Sequence, residues 1–305
     1  MTNEKGHRLT ACINDYIQLL KPRVISLVLL TACVGLIRAP VHMNPLLAAL
    51  ALLCIALGGG GASALNMWYD SDIDTLMKRT RSRPIPIGSI TRKQCFNFGM
   101  TLSVLSVFIL GSFTNWLAAA FLAFTIFFYL VIYTIFLKRT TPHNVVIGGA
   151  AGAFPPIIGW TAATGTVSLE SIILFLIIFL WTPPHSWALS LLMKKDYEAA
   201  CIPMMPNVYG HKSTVTQIFF YSLFMVLSSL FPYLIGFAGA AYGFISSALG
   251  IIFMRYAWKL RRAQHYEERI VSAKKLFFFS IFYLSILFAV LLVEISVRRI
   301  RHSIV

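Results

Sequence analysis

The chain has 305 residues, 58% hydrophobic and 12% charged, with a formal net charge of +15 and a mean hydropathy of +0.75. Soluble domains average about 45–50% apolar and about 25% charged residues, so a soluble protein is excluded. Apolar runs reach almost from end to end and leave no separate soluble core, so one integral-membrane domain over 1–305 is expected. The basic residues fall in short loops, where they report orientation and anionic lipid, and they imply no nucleic-acid partner.

Residues 1–20 form a mixed polar start without the apolar core of a signal peptide or the Arg- and Ser-rich character of a transit peptide. A spanning helix needs about 20 mostly apolar residues. Runs of that kind place nine helices at 22–38, 45–67, 95–113, 115–137, 144–163, 170–192, 215–236, 238–256 and 275–297. The predicted fold is therefore an all-α polytopic bundle. With nine crossings, all of the 26 lysines and arginines except Arg38, Arg298, Arg299 and Arg301 fall on one side. That side is the cytoplasm by the positive-inside rule, which puts the N-terminus inside and the C-terminus outside a bacterial inner membrane. The three C-terminal arginines break the rule, and Glu294, one helical turn before Arg298, is expected to pair with that residue. The five cysteines show no CxxC spacing and read as small buried apolar residues.

Polar residues concentrate in two cytoplasmic loops, 68–94 and 193–214, and function is sought there. Span two ends in GGGGASALNMWYDSDIDTLMKRTRSRPIPIG, in which Asn66, Asp70 and Asp74 lie four apart and share one helical face. Carboxylates at that depth are costly unless they meet a cation, and hard oxygens suit Mg²⁺. Because Mg²⁺ takes only one or two protein carboxylates and fills its shell with water and phosphate, a diphosphate is the natural partner. The basic run Lys78, Arg79, Arg81 and Arg83 follows at once and adds forks that match phosphate oxygens. Mutual pairing on a solvated loop is the bland alternative, and Asp72, off the stripe, is read that way.

Downstream, KRTTPHNVVIGGAAGAFPPIIGW carries a basic pair, His143 and a small-residue helix suited to close packing or to a flat ligand. Span six contains FLWTPPHSWALSLLMKKDYEAACIPMMPNVYG. His185 follows Pro183 and Pro184, which should kink the helix and free carbonyls toward a cavity. On spacing alone this histidine is as well read as a structural hydrogen-bonder. Lys194, Lys195, Asp196 and Glu198 close the helix, either as a second phosphate or metal contact or as an interfacial charge cluster.

Together these segments, from LKPRV at Leu20 to the last spans, resemble the intramembrane aromatic prenyltransferases, and within them the branch that farnesylates haem. The resemblance implies transfer of the farnesyl group of farnesyl diphosphate to a vinyl group of haem B, which is a substrate and not a cofactor. It also implies downstream partners such as a haem-modifying enzyme or oxidase assembly factors. Carried over by motif, Asn66, Asp70 and Asp74 would hold Mg²⁺ and diphosphate, with Arg79 and Arg83 on phosphate. His185 would stand near the haem or its reacting vinyl. Lys195, Asp196 and Tyr197 would occupy the place of a second acidic motif, whose second aspartate is replaced here by Ala200. Three rivals stand beside this reading: a quinone-precursor acceptor such as 4-hydroxybenzoate, a non-catalytic haem-binding protein, and a transporter. Acids clustered at one cytoplasmic mouth disfavour the last.

Overall fold

The computed structural model describes residues 12–304, with side chains through Glu294. Among these residues every regular element is helical. In chain order they are α1 (Ile13–Leu19), α2 (Pro22–Arg38), α3 (Pro45–Tyr69), α4 (Ser71–Leu76), α5 (Arg92–Phe113) and α6 (Trp116–Phe127), which continues as a π-helix over Phe128–Leu137. There follow α7 (Asn144–Ala153), α8 (Pro155–Thr164), α9 (Leu169–Leu192), α10 (Lys194–Ala199), α11 (Met205–Val208), α12 (Gly210–Ser228), α13 (Phe231–Leu234), α14 (Ala240–Arg262) and α15 (Tyr266–Ile304).

Eight described helical segments are long and apolar enough to cross a bilayer, and the pair α1–α2, bent by 53°, supplies a ninth. Each predicted span coincides with one of them. Local chemistry sets the starts. Asn44 accepts a hydrogen bond from the Leu46 N–H ahead of Pro45, Thr91 forms a capping box with Gln94, and Ser168 does so with Ser171. The predicted turns at 115 and 239 are real breaks: Asn115 caps α6 through the Ala118 N–H. The Gly239 and Tyr242 N–H groups donate to the Glu294 carboxylate at 2.7 and 2.9 Å. Glu294 therefore seals the start of α14, where a helix N-terminus favours a carboxylate. The side chain of Arg298, its predicted partner, lies outside the described residues.

Lipid offers apolar surface as good as any protein core, so these helices associate through close packing and buried polar contacts. At the crossing of α2 and α8, a Cβ on Gly35 would stand 2.0 Å from the Pro156 carbonyl oxygen and one on Gly159 2.1 Å from that of Ala32, so only glycine permits this approach. The largest buried cluster joins α9, α12, α14 and α15 around Trp187, Tyr242, Phe253, Tyr283 and Phe288. A second joins α2, α3, α6 and α8. Of the cysteines, Cys54 and Cys95 are buried as expected, whereas Cys12 and Cys201 are exposed at helix ends.

Candidate active site

At Asp70 helix α3 ends and α4 begins, yet the i→i+4 pattern survives the joint. The Asp70 N–H donates to the Asn66 carbonyl and the Asp74 N–H to that of Asp70, each at 2.9 Å. The predicted stripe is therefore kept, and all three residues are buried, at 4%, 0% and 2% exposure. Buried carboxylates require compensation, and cations from three segments converge to give it. Lys138 pairs with Asp70 Oδ2, Arg139 stands 3.5 Å from Asp70 Oδ1, and Arg83 bonds Asp74 at 2.7 Å. Lys21, at the left-handed joint between α1 and α2 (φ 51°), donates to Asn66 Oδ1 at 3.1 Å. Asn66 Nδ2 donates to Asp70 at 2.8 Å and to Thr134 Oγ1 at 3.1 Å.

Asp72 is the exposed loop charge expected from the sequence, and its partner comes from another loop. Arg139 grips it with two bonds of 2.7 Å and holds its carboxyl down to about 2. This latch lies at the surface, outside the spans.

The π-helix explains how Lys138 reaches Asp70. Its ladder is i→i+5, as in the Lys138 N–H bond to the Tyr133 carbonyl at 2.8 Å. π-segments within helices are rare and concentrate at functional sites. The altered winding turns Thr134 onto Asn66 and brings Tyr129 and Tyr133 into a stack with centroids 5.5 Å apart. The small-residue helix α7 packs closely, one of the two uses read from its sequence, and also borders a cavity. A Cβ on Gly148 would lie 2.1 Å from Tyr133, while Gly149 and Gly152 border a cavity.

Two adjoining cavities share Tyr129, Tyr133, Val24, Val145 and Ser186 as walls. The smaller, of about 360 Å³, is polar: Lys21, Arg79, Arg83 and Lys138 face it with Asn66, Asp74 and Tyr197. The larger, of about 690 Å³, is mostly apolar and reaches between α2, α7, α9 and α15 to Trp181, His185, Ile281 and Leu284. His185 lies flat between Trp181 and Phe277, with centroids 4.3 and 4.7 Å away, and its Nδ1 meets Ser280 Oγ at 2.7 Å. Helix α9 runs unbroken through Pro183 and Pro184, so the expected kink does not interrupt it.

The second polar loop contributes less than the sequence suggested. Tyr197 reaches the polar cavity and bonds Arg79, and burial raises its phenol above the ordinary range, which keeps it a donor. Asp196 accepts the Arg79 backbone N–H at 3.3 Å. Lys195 is exposed and is not among the residues that line the cavity, because α10 turns it to the surface. Ala200 packs with Ile202 and Met204 on Ile73 and Met77.

No cluster of three His, Cys, Asp or Glu side chains occurs among the described residues. The donor set at the stripe, two carboxylates and an amide, nevertheless fits a hard cation that completes its shell with water and phosphate. Asp70 Oδ1 is buried without a hydrogen bond, 3.5 Å from Arg139, and Asp70 is not among the residues that line the polar cavity, whereas Asn66 and Asp74 are. Sequence reasoning missed Lys21, Tyr129, Tyr133, Lys138, Arg139 and Ser280; the basic pair after span four was the one visible signal.

The sequence profile of the UbiA prenyltransferase family matches residues 27–293. The protoheme IX farnesyltransferase of Bartonella henselae is 62% identical over 285 residues, covering 93% of this chain and 91% of its own. That of Brucella anthropi is 60% identical over 289 residues, covering 95% and 93%. Among solved structures, a digeranylgeranylglyceryl phosphate synthase superposes with a TM-score of 0.75 at 20% identity, over 92% of this chain and 98% of that one. A UbiA homolog from Archaeoglobus fulgidus, bound to GPP and Mg²⁺, gives 0.67 at 16% identity, over 91% and 99%. At these identities the superpositions establish the fold.

Proposed function

The chain belongs to the UbiA prenyltransferase family, and from that premise we propose that it transfers the farnesyl group of farnesyl diphosphate to a vinyl group of protohaem IX, yielding haem O and diphosphate. The observation that carries this reading is the pair of joined cavities, one cationic and one apolar, with two tyrosines at the junction. An amphiphile with a doubly phosphorylated head and an isoprenoid tail matches such a space, head in the first and tail in the second.

The chemistry follows from the lining. Diphosphate leaves only when its growing negative charge is neutralised. Lys21, Arg79, Arg83 and Lys138 surround the space in which that charge develops. Asn66, Asp70 and Asp74 would hold Mg²⁺, which when bound supplies further neutralising charge on the diphosphate. In the structure Arg83 and Lys138 rest on those same carboxylates. With Mg²⁺ on these carboxylates, Arg83 and Lys138 would be free to neutralise phosphate oxygens instead. The allylic fragment that remains is stabilised by the stacked faces of Tyr129 and Tyr133 through cation–π attraction. Apolar walls keep it from premature hydrolysis. His185 lines the larger cavity, and its proposed place is beside the acceptor's reacting vinyl.

One membrane domain spans 1–305, in a bacterial cytoplasmic membrane, with the N-terminus and the mouth of the polar cavity facing the cytosol and the C-terminus outside. The product is passed on to a haem-modifying enzyme or to oxidase assembly factors. Mass spectrometry of haems extracted from cells with and without the chain tests the reaction: a farnesylated, hydroxylated haem present only with the chain is expected. Its absence beside a prenylated quinone precursor would instead assign the acceptor to that class.

A further inference from the structure

Resting on the haem-farnesylating reading, the structure assigns Ser280 of α15 as the residue that fixes the tautomer of His185, leaving Nε2 unprotonated toward the large cavity; we propose that Nε2 takes the proton released when water completes the product. Ser280 Oγ donates its only hydrogen to the Phe277 carbonyl at 2.6 Å. Toward His185 Nδ1, 2.7 Å away, the same oxygen is therefore an acceptor, and Nδ1 carries the N–H. A neutral imidazole protonated at Nδ1 has its lone pair on Nε2. Among the described residues nothing hydrogen-bonds Nε2, and the ring lines the cavity.

The setting is built to hold that orientation. Ser280 is fully buried, and its carbonyl accepts the Trp181 indole N–H at 2.8 Å, tying α15 to α9 directly beside the ring. Trp181 and Phe277 clamp the two faces of the imidazole at interplanar angles of 17° and 24°. Stacking fixes the plane and Ser280 fixes rotation within it, so only the Nε2 edge remains free.

The reaction supplies a proton for that edge. As the C–O bond breaks, its electron pair leaves with diphosphate, and the vinyl π pair forms a bond from the terminal vinyl carbon to prenyl C1. Positive charge then rests on the carbon attached to the porphyrin. A water oxygen bonds to that carbon and gives up one proton, which Nε2 accepts, so that charge and atoms balance. Without a positioned base the oxonium must lose its proton into an apolar cavity, which is slow.

Ser280→Thr and Ser280→Val have nearly the same shape and differ by the hydroxyl, so any strain from the added bulk is common to both. With full-length protein in nanodiscs, farnesyl diphosphate and haem B, kcat for the Thr variant is expected to exceed that of the Val variant at least about tenfold at equal KM for farnesyl diphosphate, in line with other residues that orient a reactive imidazole. Added imidazole should restore at least tenfold activity to His185→Ala by entering the slot between Trp181 and Phe277. Equal Thr and Val rates, or a His185→Ala variant that is folded and unmoved by imidazole, would overturn the assignment. If neither Ser280 variant folds, the imidazole experiment alone decides. A wild-type chain that makes no farnesylated haem would instead overturn the underlying reading.

Discussion

The two polar cytoplasmic loops look alike in sequence and end in unlike places. Loop 68–94 folds back on the bundle, so that Asp70 and Asp74 are almost wholly buried, each against a cation. Loop 193–214 presents Tyr197 to the cavity, leaves Lys195 at the surface, and otherwise packs Ala200, Ile202 and Met204 as an apolar plug. The difference teaches that carboxylates enter a membrane protein only where opposite charge is already placed. The first loop carries Arg83 itself and meets Lys138 from the end of the π-helix, whereas the second has Ala200 where its second aspartate would stand and pairs Glu198 with Lys194 at the surface. The site is thus one-sided, with the oxygens proposed to bind the cation on α3–α4 and mainly hydrogen-bond donors facing them.

The largest test of this asymmetry is removal of an acid from the first loop. Asp70→Asn or Asp74→Asn should lower kcat at least about a hundredfold, the scale of losing a main electrostatic contact, with the protein still monodisperse in detergent. Chelation by EDTA should stop turnover and added Mg²⁺ restore it; a rate indifferent to chelation would remove the cation from the scheme. Next comes Lys138→Ala, which strands Asp70 buried beside one remaining distant cation and should destabilise the fold by about 3–5 kcal/mol, read as an earlier thermal unfolding midpoint. Smaller again is Tyr197→Phe, which removes one donor and should raise KM for farnesyl diphosphate roughly tenfold with kcat little changed, since one hydrogen bond to a charged group is worth about 1.5–3 kcal/mol at most. Lys195→Ala should leave both constants within about twofold, and a large loss there would make the second loop an equal partner.

The smallest effect concerns the surface latch. Asp72 is 57% exposed at its side chain and is held below its ordinary 3.8, at about 2, chiefly by its hydrogen bonds to Arg139. A carboxyl depressed in the folded state contributes stability above pH 3.8, and that contribution fades as pH falls toward 2. Being exposed, the pair is worth less than about 1 kcal/mol, so Asp72→Asn should flatten the acid limb of a stability curve only slightly.

Much of this was legible beforehand because membrane physics is blunt. Spans follow from apolar length, and the Asn66–Asp70–Asp74 register follows from i→i+4 spacing that persists across the joint at Asp70. The hidden part depends on winding and on contacts distant in sequence. An α-helical reading of 115–137 gives no reason for Thr134 and Lys138 to face α3; the π-segment does, and apolar composition carries no sign of it. Ser280 lies 95 residues from His185, among ordinary apolar neighbours, and only packing of α9 on α15 joins them. Lys21 could be read as a loop charge before Pro22, yet its left-handed backbone turns the amine inward to Asn66.

Binding of Mn²⁺, a spectroscopic stand-in for Mg²⁺, by nanodisc-embedded protein in the presence of farnesyl diphosphate tests the one-sided site most directly, by electron paramagnetic resonance. Wild type and Asp196→Asn should bind the ion with affinities within a few fold of each other, while Asp74→Asn loses at least about tenfold. Equal losses in Asp74→Asn and Asp196→Asn, or retention of the ion by Asp74→Asn, would contradict it.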